Sequence, residues 1–306
     1  MKSWAVKSWN VVAGHRWLSV AILLVLCLVA AARLTLTHRD DIGLIVILCA
    51  IALIADRFWP TLDYRLTAAP MAPLVAFVGC DGSGKSTLTT DLFKAVSDVQ
   101  PTAVSYLGLG SGAIGERIKR LPIIGRHVER RLARKAAQTR TRGEKIPGLF
   151  TALVVYMFSL ARLRRFNQML KLRRAGVVIL TDRYPQIEYP GFYDGPGLSA
   201  ASPRSRLVFA LARQERRLYE YMTSFRPDVV VRLDVDVDTA LARKPDHRAD
   251  LLRKKVEVTP LLRFAGAPIV DLDATLPYTV VYRQAAQILG STIARRAVDR
   301  LSAIAA

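Results

Sequence analysis

The sequence predicts an α/β protein, a doubly wound parallel sheet with helices on both faces, preceded by an apolar helical hairpin. Three observations point there. A short apolar run at 74–78 ends in the glycine-rich stretch Gly79-Cys80-Asp81-Gly82-Ser83-Gly84-Lys85-Ser86-Thr87. Further short apolar runs alternate with helix-length segments along the rest of the chain, the pattern of βαβ units with right-handed crossovers. Upstream, two long apolar runs stand apart in composition from everything that follows.

The chain has 306 residues, 51% of them apolar, and a net charge of +20. That length suits one domain of ordinary size plus accessory elements. The excess of cations fits nucleic acid, anionic lipid headgroups or phosphorylated substrates. The three cysteines, Cys27, Cys49 and Cys80, offer neither a disulfide framework nor a metal-binding spacing. A reducing cytoplasm is the simplest setting for the part that carries Cys80.

Residues 17–36 and 42–59 are the two apolar runs, each near the lower limit of about 17–25 residues for a membrane span. Trp17 and Trp59 stand where interfacial aromatics belong, and Arg16, Arg33 and Arg57 are placed to snorkel. We read 1–66 as a hairpin that crosses the membrane twice. Lys2, Lys7 and Arg16 precede the first span, and Arg57 and Arg65 follow the second, so both termini are expected in the cytoplasm. The expected location is the inner, cytoplasmic membrane. A cleaved signal peptide ending at Ala30-Ala31-Ala32 and an interfacial hairpin are the alternatives. Residues 67–73, with Pro70 and Pro73, read as a linker, and 74–306 as the α/β domain.

Within that domain, 74–78 is the first strand, apolar on both faces as in a buried parallel sheet. The spacing of Gly79, Gly84, Lys85 and Ser86 is that of a P-loop. Its glycines let successive backbone N–H groups turn inward on a phosphate, and the following helix adds its positive end. Gly79, Asp81, Gly82, Ser83, Gly84, Lys85, Ser86 and Thr87 are therefore the candidate nucleotide-binding residues. Lys85 would reach the β- and γ-phosphates of a nucleoside triphosphate, and the Ser86 hydroxyl would hold Mg²⁺. A glycine-rich turn without ligand is the alternative.

A second strand at 103–107 runs into the glycine-rich turn 108–112. Residues 116–145 form a basic block that reads as a solvated helical face or as a membrane-facing surface. Nucleic acid fits it less well, because no aromatic residues interleave the charges. The segment 149–163 is apolar nearly all round and reads as a buried core or dimer helix. The strand at 177–181 ends in Thr181-Asp182-Arg183-Tyr184, the position of a Walker-B carboxylate. Asp182 there would hold Mg²⁺ or its water, or orient an acceptor hydroxyl, and Arg183 would grip an anionic acceptor. A turn-rich segment at 192–197 follows, then a helix at 213–221 and a buried strand at 228–235, which Arg232 interrupts. The helix beginning at 239 breaks at Lys244-Pro245-Asp246-His247-Arg248. A basic loop here suits a mobile lid that brings Arg243, Arg248 or Arg253 onto the transferring phosphoryl group. A fifth strand at 268–272 and a closing helix at 278–289 complete the domain. The four histidines are scattered and form no site.

With the P-loop, Asp182-Arg183-Tyr184, and Leu233-Asp234-Val235-Asp236 to Ala240-Leu241-Ala242-Arg243 on the page, the chain resembles the thymidylate kinase family of P-loop nucleoside monophosphate kinases over roughly residues 74–290. The resemblance implies a P-loop kinase fold with a five-stranded parallel sheet, Mg·ATP as donor and often a homodimer. It also implies that Asp81 approaches the acceptor sugar and that Arg183 binds the acceptor phosphate. Two segments depart from the family. Tyr106 to Gly112 replaces its Arg-Glu-Pro-Gly-Gly, and Pro185 to Gly191 replaces the stretch after Asp-Arg-Tyr. Those segments recognise the acceptor. The expected activity is therefore transfer of the ATP γ-phosphoryl group to a small-molecule acceptor. That acceptor is a nucleoside monophosphate or, alternatively, a sugar or lipid-linked glycan of surface polysaccharide synthesis. A non-catalytic ATP-binding regulator of a membrane assembly is the rival from another class.

Overall fold

The computed structural model describes residues 71–108, 149–191, 193–198, 206–245, 247 and 249–305. The expected hairpin at 1–66, most of the linker, the turn beyond Gly108, the basic block at 116–145 and Arg248 lie outside them. The chain divides into two compact units, Met1–Arg65 and Leu66–Ala306, and every described residue belongs to the second. Among the described residues, no helix is long and apolar enough to cross a membrane.

Strands and helices alternate as the sequence predicts. In chain order they are β1 (Leu74–Gly79), α1 (Lys85–Ser97), β2 (Thr102–Tyr106), α2 (Leu149–Arg174), β3 (Val178–Asp182), α3 (Arg206–Ser224), β4 (Val229–Asp234), α4 (Val237–Arg243), α5 (Ala249–Val258), β5 (Ile269–Asp273) and α6 (Tyr278–Ala305). The five strands form one sheet in the order β2-β3-β1-β4-β5. All four pairings are parallel. A parallel pair requires a crossover, which is why each strand is followed by a helix.

Central position explains composition. Every residue of β1 is buried, because the strand has a neighbour on each side and a helical layer on each face. Val75 and Phe77 point into a core shared with Leu88 and Leu92 of α1 and with Val281, Ala285 and Leu289 of α6. Leu74, Ala76 and Val78 alternate to the other face, toward α2 and α3, which pack on each other. Burying side chains of this size contributes roughly 1.5–3 kcal/mol each.

Four elements differ from the sequence reading, one being the helix expected at 213–221, which spans Arg206–Ser224. The helix expected at 149–163 continues to Arg174. It passes through Arg162, whose buried guanidinium donates through Nη1 to the Asp194 carbonyl at 2.6 Å and the Tyr219 hydroxyl at 2.8 Å and pairs through Nη2 with the Asp194 carboxylate. Arg232 does not interrupt β4. It sits in register with Asp271 of β5 and pairs with it through two bonds, at 2.5 and 2.9 Å, while Nη1 donates to the Pro260 carbonyl at 2.9 Å. The closing helix runs on to Ala305.

The order places β1 between β3 and β4, where the connections change direction. Ligands in open α/β sheets bind beyond the carboxyl ends of the strands at such a point. The P-loop follows β1 there, and Phe77 is in register with Asp182 at the end of β3.

Candidate active site

The loop between β1 and α1 is shaped by glycines in conformations that disfavour other residues. Gly79 has φ +153°, and a Cβ there would stand 2.7 Å from the Leu233 carbonyl oxygen. Gly82 has φ +90°, and a Cβ would stand 2.6 Å from the Ala240 carbonyl oxygen. The loop thus lies against the ends of β4 and α4 with no room for a side chain. Gly84 is different, because a Cβ there would meet nothing within 4 Å. That open space lies at the N-terminus of α1, where Gly84, Ser86 and Thr87 are exposed and unbonded helix N–H groups favour an anion.

Lys85 is buried, and its Nζ donates to the Cys80 carbonyl at 3.0 Å. Burial and the nearby Arg183 guanidinium push its ammonium below the ordinary lysine range. Ser86 Oγ donates to Asp182 Oδ2 at 2.6 Å. The other carboxylate oxygen, Asp182 Oδ1, and the Ser83 hydroxyl are buried without a hydrogen-bond partner among the described residues. An unpaired buried oxygen is costly, so Asp182 Oδ1 and Ser86 Oγ form a hard-oxygen pair that fits a Mg²⁺ ion. Two protein oxygens are what Mg²⁺ ordinarily takes when waters and phosphates complete its shell.

Asp81 is the electrostatic centre. Its Oδ1 accepts from Arg183 Nη2 at 2.9 Å and lies 3.9 Å from Lys85 Nζ. Its Oδ2 accepts from Lys255 on α5. Burial pushes the carboxyl up, but the charges of Lys255, Lys85 and Arg183 outweigh it and hold Asp81 well below the usual carboxylate range. Arg183 takes the left-handed conformation, φ 72°, as its N–H donates to the Phe77 carbonyl at 3.0 Å. This turn aims the guanidinium back at the P-loop. Its Nη1 reaches Asp194 at 3.4 Å.

Sequence reasoning missed the groups that hold this arrangement. Asp194 is gripped by Arg162, and the Arg162 guanidinium also donates to the Tyr219 hydroxyl at 2.8 Å. Glu215, fully buried on α3, accepts from Ser159 at 2.7 Å and from the backbone N–H groups of Gly197 and Leu198 at 3.2 and 2.7 Å. It thereby fastens the 193–198 turn that carries Asp194. Arg165, one turn beyond Arg162, donates to the Gly108 carbonyl at 2.6 Å and covers the Tyr106 ring. A pair of arginines three apart on one helix face was readable in the sequence as a signal. The partners of Lys255, Asp194 and Glu215 were not, since each comes from a distant element.

The predicted residues therefore fall into three groups. Gly79, Asp81, Gly82, Ser83, Gly84, Lys85, Ser86, Thr87, Asp182 and Arg183 come together at the ends of β1 and β3. Arg243 reaches the edge of this group, its Nη1 donating to the Gly82 carbonyl at 3.4 Å. Arg248 lies outside the described residues.

Comparison with known proteins places the chain in a family. The chain is 44% identical over 213 residues, 69% of its length and 84% of the relative's, to the uncharacterized ATP-binding protein YghR of Escherichia coli K12. The chain belongs to the YghR family of ATP-binding proteins. A second YghR-family member, YghS of the same organism, is 45% identical over 205 residues, 67% of this chain and 86% of that one. Farther off is a thymidylate kinase of Roseiflexus castenholzii, 27% identical over 176 residues, 57% of this chain and 63% of the relative. A deoxyadenosine kinase structure from M. mycoides, with dCMP and dCDP products, superposes at a TM-score of 0.43 with 16% identity, over 71% of this chain and 98% of that one. No family model matches the chain.

Proposed function

We propose that this YghR-family protein is an ATP-dependent phosphotransferase whose acceptor is itself a phosphate monoester, of the nucleoside monophosphate class, and that it works at the cytoplasmic face of the inner membrane. One observation carries the choice of acceptor. Asp81, the carboxylate that faces the presumed acceptor, is engaged by Arg183, Lys85 and Lys255 and held below the usual carboxylate range. Such a group is a poor general base. Asp182 accepts from Ser86 through Oδ2, and its other oxygen is the one assigned to Mg²⁺. A sugar hydroxyl would need its proton removed, whereas a phosphate monoester already presents an anionic oxygen at neutral pH.

In this reading the P-loop N–H groups and Lys85 hold the β- and γ-phosphates. Ser86 and Asp182 would hold Mg²⁺, which supplies charge neutralisation between the phosphates when bound. Arg183, aimed by Asp194 and Asp81, grips the acceptor phosphate. The acceptor oxygen forms a bond to the γ-phosphorus as the bond to the β–γ bridging oxygen breaks, and ADP leaves. Lys255 and Arg243 stand at the P-loop edge to meet charge on the transferring group.

Support comes from the names of the YghR and YghS relatives and from the distant thymidylate kinase. The membrane location rests on the two apolar runs at 17–36 and 42–59. The deciding experiment is an acceptor screen on the full-length protein, following ADP release with nucleoside monophosphates, sugar phosphates and unphosphorylated sugars. Turnover with phosphate monoesters is expected. Turnover confined to hydroxyl acceptors would overturn the reading, and ATP binding without turnover on any acceptor would favour a regulator.

A further inference from the structure

The end of the domain opposite the P-loop collects a second set of unusual residues. The turn 99–101 lies there, since the Pro101 carbonyl accepts from the first residue of β3. So does the end of α2, where Val177 N–H bonds to the Leu172 carbonyl. The last turns of α6 join them, with the Arg300 guanidinium 3.8 Å from where a Cβ of Gly176 would stand. Arg295 and Arg296 reach Asp228 just before β4.

Two properties coincide on this end. Lys171, Arg174, Arg226 and Arg300 are exposed, and none forms an ion pair with a described residue. Asp228 offers no compensation, for it is buried and bound by Arg173 and Arg296. The exposed carboxylates here among the described residues are Asp98, Asp299, which lies 3.7 Å from Arg296, and Glu220 near the end of α3, which pairs with Arg216 at 2.9 Å. The segments at this end also carry the most exposed large apolar side chains of the described residues, Val99 at 84%, Leu301 at 69% and Val298 at 62%, joined by Leu172 at 43%. Cations mixed with exposed aliphatic side chains match an anionic bilayer interface, which rewards both. Nucleic acid would be met by aromatic faces for stacking, and the exposed apolar residues here are aliphatic.

The chain also enters the domain at this end. Arg173 Nε donates to the Ala72 carbonyl at 2.7 Å, and Ala72 N–H donates back to the Arg173 carbonyl at 3.2 Å. The entering strand is thus clamped to the residue next to Arg174.

We propose that the face formed by Lys171, Arg174, Arg226 and Arg300 with Val99, Leu172, Val298 and Leu301 docks on an anionic lipid surface. It extends the membrane location put forward above and has a consequence for chemistry. The P-loop lies at the far end of β1, and a strand of six residues spans about 20 Å. Docking by the opposite end turns the candidate active site to the aqueous side, where a soluble phosphate monoester has access and a lipid-linked acceptor does not.

The test is segment-resolved hydrogen exchange of the full-length protein with vesicles of phosphatidylcholine alone or with phosphatidylserine added. On the mixed vesicles, amides at 98–100, 172–177 and 295–303 should slow by about tenfold or more, with those at 82–87 unchanged. K171E/R174E/R300E should lose this slowing while keeping the exchange of β1 and β4. Insertion of the 17–59 region is read separately, from resistance of the bound protein to alkaline carbonate, so failure of the hairpin and failure of the docking face are told apart. No slowing on anionic vesicles, equal slowing on both lipids, or slowing at 82–87 instead would overturn the proposal. So would protection of the same segments by single-stranded RNA but not by vesicles.

Discussion

Arg183 Nη2 and Asp81 Oδ1 meet at 2.9 Å although 102 positions separate them. The pair joins the end of β3 to the P-loop, and in the proposed function it sets the guanidinium that grips the acceptor beside the loop that holds ATP. Replacing Arg183 with lysine keeps the charge but loses the planar fork that bonds Asp81 and Asp194 together. We expect R183K to raise the KM for the acceptor by tenfold or more, with the Kd for ATP changed little. Steady-state kinetics at varied acceptor and a separate ATP titration measure the two effects.

In the proposed function, Lys85 is the cation that the P-loop presents to the phosphates. K85A should lower kcat by roughly 10²–10³. The Lys85 ammonium hydrogen-bonds a single carbonyl, Cys80, and Asp81, 3.9 Å from it, keeps Arg183 and Lys255 when it is removed, so the variant should unfold within a few degrees of the parent. Equal kcat in the variant would remove Lys85 from the chemistry.

Acid stability should report Asp81. Its folded pKa is depressed, so the unfolded state binds the proton more readily. The stability this carboxylate contributes is fully present above its unfolded pKa of about 4 and is lost as pH falls below that toward its own lower value. The groups facing it are Lys85, Arg183, Lys255 and His247. D81N should be less stable than the parent at neutral pH, and the gap should narrow below pH about 4. Urea midpoints measured across that range give the slope, and a gap that widens in acid contradicts the assignment.

Glu215 serves three donors in the interior. E215A leaves the Gly197 and Leu198 N–H groups without their acceptor and leaves Ser159 only its 3.3 Å bond to the Val155 carbonyl, which should cost about 2 kcal/mol or more. The loss should lower the unfolding temperature. It should also loosen the 193–198 turn, so acceptor KM should rise more than the Kd for ATP. Denaturation and kinetics on one preparation separate the two.

The donor half of the site was legible because it is local. Gly79 to Thr87 are consecutive, and the φ values at Gly79 and Gly82 are a requirement that glycine alone announces. Asp182 was legible too, as a carboxylate ending an apolar strand. The acceptor half was not. Asp194, Arg162, Lys255 and Glu215 sit in segments with ordinary helical or turn composition, and their roles come from partners that are 32 to 174 positions away in the case of Asp194–Arg162 and Lys255–Asp81.

The sequence by itself determined the strand–helix alternation, the phosphate cradle and the apolar character of residues 17–59, since each depends on residue types at fixed short spacing. Only the tertiary structure decided that Arg232 belongs inside β4, because a buried guanidinium is tolerated only once Asp271 stands beside it. It likewise decided that Asp81 is engaged by three cations, and that exposed apolar side chains share the end of the sheet away from the P-loop with cations that form no ion pair among the described residues. Charge pairing and surface clustering are set by distances in space, and the chain order does not encode those until the sheet is assembled.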